Sequence, residues 1–153
     1  MVASPVTLEL PPTPFASAVA RCRIGDACLA WGVPEVLLPV RAVVSELVDN
    51  AARHAGTRIR VTAVLDAGCV TVRVRDGSCA VPMMVPVHAA SPAAPLDLRG
   101  AGLRLVERHA AGWGVTPHPD GKTVWASVRV PGRRPERRAA PLEGRARPRL
   151  SRR

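Results

Sequence analysis

Between Pro34 and Gly56 the chain repeats apolar residues at a spacing that a long amphipathic helix satisfies, with Val43, Val44, Leu47, Val48 and Ala51 on one face. Glu46, Asn50 and His54 are each four residues apart, so they form one polar stripe beside that face. Gly56 supplies the C-terminal stop. A helix with so continuous an apolar face needs a second layer to cover it, and the next residues provide one. Ile59, Val61, Ala63 and Leu65 alternate with polar neighbours between Arg58 and Asp66, and Cys69 to Arg75 alternates again after Ala67-Gly68. That is the pattern of a β-hairpin. It ends at Asp76-Gly77-Ser78, where a carboxylate is presented as the chain turns.

The remaining elements fit the same two layers. Val6 to Leu10 reads as a short edge strand, and Pro14 to Trp31 as a helix ended by Gly32, with Ala18, Cys22 and Leu29 among its inward residues. Gly100-Ala101-Gly102-Leu103 opens a third helix, from Gly102 to Ala111, whose first amides and positive end are available to an anion. Gly121-Lys122-Thr123 leads into the strand up to Val130, which pairs with Val115-Thr116 in a final hairpin and carries an ammonium and a hydroxyl at its start. Helices and antiparallel strands in this order predict an α/β fold with a sheet covered on one face.

The run Glu46-Leu47-Val48-Asp49-Asn50-Ala51-Ala52-Arg53-His54, with Asp76 and the Gly100/Gly102 pair, resembles the GHKL superfamily of ATP-binding domains, named for gyrase, Hsp90, histidine kinases and MutL. Within it the likeness is to the stand-alone anti-sigma-factor serine/threonine kinases, and it runs from about Thr7 to Val130. The resemblance implies a Bergerat-type two-layer α/β sandwich with a mixed, mostly antiparallel sheet. It also implies roles. Asn50 would coordinate Mg²⁺ bridging the phosphates of ATP, and Glu46 would be the catalytic residue that orients or deprotonates the attacking group. Asp76 would accept a hydrogen bond from the adenine amino group. Gly100, Gly102 and Leu103 would bring backbone amides to the phosphates, Thr123 would be the last nucleotide-contacting threonine, and the segment 83–98 would be the lid. Many members carry D-x-G-x-G after the carboxylate; this chain has Asp76-Gly77-Ser78 and then Pro82, a form closer to the anti-sigma branch, with Ser78 in the nucleotide set.

Each of these residues also has a plainer reading. His54, one turn from a helix end, complements the helix dipole as well as it would meet a nucleotide. Lys122 is either a phosphate contact or a solvated turn residue, and Trp113 and Trp125 read as core or core-edge aromatics. Gly114 to Thr123 is not a P-loop, because Thr116 stands where the first glycine belongs. Cys22, Cys28, Cys69 and Cys79 show neither C-x-x-C spacing nor a nearby histidine at zinc spacing, so they read as reduced thiols.

With 153 residues, of which 47% are hydrophobic, the chain has material for one ordinary core. No apolar run approaches the roughly 20 residues of a membrane helix and no signal sequence is recognisable, so a cytoplasmic location is expected. Two regions are expected: residues 1–131 as the ATP-binding domain, and residues 132–153 as a basic, disordered tail. From Gly132 onward nine arginines face two glutamates, which accounts for +7 of the formal +10. All but one of the 22 basic residues are arginine, so the tail reads first as a solubilising segment of an arginine-rich chain and second as an arm for nucleic acid or an acidic surface.

The activity implied by the resemblance is a regulatory serine/threonine kinase that binds a sigma factor and phosphorylates an antagonist protein, possible as a homodimer. The alternative is a non-catalytic, nucleotide-gated interaction module.

Overall fold

The computed structural model describes residues 3–80 and 101–133. The lid expected at 83–98, Gly100 and the tail beyond Arg133 lie outside the described residues. Along the chain run β1 (Val6–Leu10), α1 (Ala16–Ala30), a 3-10 turn (Pro34–Val36), α2 (Leu37–His54), β2 (Ile59–Asp66), β3 (Cys69–Asp76), α3 (Ala101–His109), β4 (Gly112–His118) and β5 (Gly121–Arg129).

The five strands form one sheet in the order β1-β2-β3-β5-β4, and all four pairings are antiparallel. The parallel component of the expected mixed sheet is absent among the described residues. β1 is an edge strand, as its sequence predicts. The β2–β3 connection is a two-residue turn with Ala67 at φ 48° and Gly68 at φ 74°, the primed geometry whose twist matches the strands it joins. Gly56 follows α2 at φ 61°, the left-handed conformation that stops the helix.

One face of the sheet is covered by the helices. Val61, Val70, Val72, Val74, Ala126 and Val128 point into that layer from the strands. Val40, Val43, Val44, Leu47, Val48 and Ala51 meet them from α2, which packs on β2, β3 and β5. α1 packs beside α2 and α3 on its other flank. Full burial of each such side chain contributes about 1.5–3 kcal/mol, so this seam is the main source of stability. Val130 extends the seam past β5: it is fully buried, and its N–H donates to the Gly68 carbonyl at 2.8 Å.

The inward face expected of the first helix is wrong in every residue named for it. Ala18 and Cys22 are exposed, and Leu29 is 52% exposed. The buried line is instead Ala16, Ala20, Ile24, Ala27 and Cys28. Small residues there let α1 approach α2 closely: a Cβ on Gly25 would fall 2.7 Å from Arg41 Nε. Phe15, Val19 and Leu29 are left facing outward.

Candidate functional site

Asp76 closes the core-facing series Val70, Val72, Val74 and is 4% exposed. β2 starts shortly after α2 and pairs Arg60 with Arg75, so Asp76 lies at the sheet end where α2 terminates. The loop leaving α2 is tied to the turn after Asp76, because the Gly77 N–H donates to Thr57 Oγ1 at 2.8 Å. Two side-chain turns then fix the backbone beyond it. The Ser78 N–H donates to Asp76 Oδ1 at 2.8 Å, and the Ala80 N–H donates to Ser78 Oγ at 3.2 Å. Ser78 therefore shapes the setting of Asp76.

Across the β3–β5 ladder Asp76 pairs with Lys122. Lys122 is buried, so it is not a solvated turn residue, and its Nζ lies 3.0 Å from Asp76 Oδ1 and 3.2 Å from the Ser78 carbonyl. The approach of the two strands depends on Gly121, at φ 149°, where a Cβ would sit 2.0 Å from the Asp76 carbonyl oxygen. Thr123 is on the other face. Its hydroxyl is 2.8 Å from His118 Nε2, and alternation along β5 turns it away from the helices. The structure thus brings Asp76, Ser78 and Lys122 together and does not bring Thr123 to them. Sequence reasoning left Lys122 between a phosphate contact and a solvated turn residue and did not pair it with Asp76; being the only lysine among the basic residues was the available signal.

Glu46 and Asn50 are half-buried on α2, one turn apart, beside the buried Leu47 and Ala51. The Glu46 carboxyl is pushed up from its ordinary pKa, first by burial and then by the neighbouring Asp49 charge, against an opposing pull from Arg53. His54 is exposed in the last turn, where a basic residue complements the helix end. Gly102 and Leu103 fall in the first turn of α3. Trp113 packs at the margin of the core, while Trp125 lies on the open face against Gly114.

Among the described residues no group of three His, Cys, Asp or Glu side chains is placed to hold a metal by itself. Mg²⁺ is usually held by one or two protein oxygens, water and the phosphates of a substrate, a share that the side-chain oxygen of Asn50 would fit. A concavity of about 490 Å³ adjoins the site: Thr57, Asp76 and Gly77 line it together with Glu9, Arg58, Arg60, Arg75 and Asp120. It is crossed by ion pairs of Glu9 with Arg60 and of Arg75 with Asp120, both largely solvent-exposed and therefore weak. Among the described residues no helix is long and apolar enough to cross a membrane.

Among curated proteins no sequence relative matches the chain. Among solved structures it is similar to the crystal structure of the RsbU and RsbW domains of Rv1364c from Mycobacterium tuberculosis, with 19% identity and a TM-score of 0.62 over 83% of this chain. The chain spans only 32% of the length of that protein. A weaker likeness, with 20% identity and a TM-score of 0.44, is to the NMR structure of the histidine kinase domain of the E. coli osmosensor EnvZ; it covers 71% of this chain and 73% of that one. The first of these shows a shared fold. Residues 35–133, the stretch that holds α2, the buried carboxylate and the closing hairpin, match a single family model. By that match the chain belongs to the histidine kinase-, DNA gyrase B- and HSP90-like ATPases.

Proposed function

We propose that the protein is an ATP- and Mg²⁺-binding regulatory serine/threonine kinase of the anti-sigma-factor type, acting on protein partners. The observation that carries the nucleotide reading is the placement of Asp76: a carboxylate with 2% side-chain exposure, at the sheet end where α2 terminates, in a chain of an ATPase family. Burying such a group is costly unless it has polar partners; Lys122 and the Ser78 N–H supply them at Oδ1, and Oδ2 is the acceptor left for a ligand's amine. Asn50 would hold Mg²⁺ against the phosphates, and Glu46 would accept the proton of the attacking hydroxyl. The amides at the start of α3, with Gly100 before them, would meet phosphate oxygens. Phosphoryl transfer is mainly positioning and charge neutralisation, so these few groups suffice. The anti-sigma assignment, with a sigma factor and its antagonist as partners, draws its support from the sequence resemblance.

Calorimetric titration with ATP, with and without Mg²⁺, tests the reading. Binding should require Mg²⁺ for full affinity, and Asn50→Ala should lose that dependence. Millimolar ATP without a heat of binding would refute the nucleotide site. Binding without transfer to any acceptor would leave a nucleotide-gated interaction module.

A further inference from the structure

The chain uses arginine at every basic position but one, and the exception, Lys122, shares with Asp76 the distinction of being a buried charge among the described residues. Burying an ion pair costs desolvation that its attraction only partly repays, and well-packed apolar residues in its place are often as stable or more so. Stability alone therefore gives little reason for this pair.

Its hydrogen-bond inventory supplies one. An ammonium has three donors. Lys122 directs one to Asp76 Oδ1 at 3.0 Å and one to the Ser78 carbonyl at 3.2 Å, which leaves a third. Oδ1 also accepts the Ser78 N–H, whereas among the described residues no donor reaches Oδ2. At the end of the sheet the pair thus offers one free donor beside one free acceptor. That is the complement of an aminopurine edge, where a ring nitrogen accepts beside an exocyclic amine that donates. An arginine would spoil the arrangement, since its planar fork engages both oxygens of a carboxylate and would leave no acceptor for a base.

We infer that Lys122 is a specificity-determining residue that donates to the adenine ring nitrogen N1 while Asp76 accepts from the exocyclic amine. The inference rests on the reading of Asp76 as the adenine-binding carboxylate. Calorimetry of the full chain with ATP and with 1-deaza-ATP, which lacks only that ring acceptor, tests it. The wild type should bind the analogue at least about tenfold more weakly than ATP, the range of a hydrogen bond to a charged group. Lys122→Met should bind the two within about twofold of each other. Lys122→Arg should keep the wild-type melting temperature but bind ATP more weakly, because the fork occupies Oδ2. Equal wild-type affinity for both nucleotides overturns the role of Lys122 and leaves the nucleotide site standing, as does a Lys122→Arg chain with unchanged ATP affinity. The wild-type comparison holds even should Lys122→Met fail to fold. If neither nucleotide binds, the ATP reading itself falls and the inference with it.

Discussion

At Glu46 the environment and the proposed task act in the same direction. Burial and Asp49 raise its pKa, which makes the carboxylate a better proton acceptor than an ordinary surface acid. A group whose pKa is raised in the fold stabilises below its unfolded pKa, and that contribution is lost as pH rises through the folded value. Glu46→Gln should therefore leave stability at pH 7 unchanged or slightly higher while stopping transfer, which thermal melts and a phosphorylation assay can read together. The acid limb of the wild-type rate profile should lie above the ordinary glutamate value; a limb at the ordinary value would remove Glu46 from the role of base. Of the residues proposed for the site, Glu46, Asn50 and Asp76 were legible because spacing and strand ends declare themselves in sequence. Lys122 and Thr123 were not separated. They are adjacent on a strand, so they face opposite sides, and Lys122 shares the helix-facing side with Val124, Ala126 and Val128.

Among the elements, legibility followed contrast between faces. α2 and the β2–β3 hairpin separate apolar from polar residues cleanly, and both lie where the pattern puts them. α1 has apolar residues on both sides: Ala16, Ala20 and Ile24 inward, Val19 and Leu29 outward, with Phe15 exposed just before it. Size then misleads, because close helix packing selects the small residues and leaves the large ones outside. The β4–β5 hairpin makes a sharper demand. Ala at position 121 would collide with the Asp76 carbonyl from a backbone conformation that side chains rarely adopt. Gly121→Ala should cost about 3 kcal/mol in chemical denaturation, from overpacking and backbone strain. A loss under about 1 kcal/mol would mean that the two strands do not depend on this close approach.

At the scale of the whole molecule, the folding unit extends past the end of β5. Val130 is buried and bonded to the β2–β3 turn, and the described chain continues to Arg133, whose N–H donates to the Val130 carbonyl at 3.4 Å. We expect a chain ending at Arg133 to keep its ATP affinity and melting temperature, and to lose any salt-sensitive DNA binding along with the basic tail. A chain ending at Arg129 should melt well below it, since the Val130 side chain and its bond to Gly68 are both removed. Equal melting of the two would show that the seam closes without Val130.

The solitary lysine has a practical consequence for anyone handling the protein. Amine-directed cross-linkers have one side chain to find in this sequence, and it lies beneath the sheet end, so attempts to map partners by that chemistry would return little; the exposed thiols of Cys22 and Cys79 are the better handles. The same scarcity makes a lysine-specific endoprotease a clock. It can cut the chain once, after Lys122, and only while β5 is detached from β3, so the cleavage rate reports how often that ladder opens and how far a bound nucleotide holds it shut.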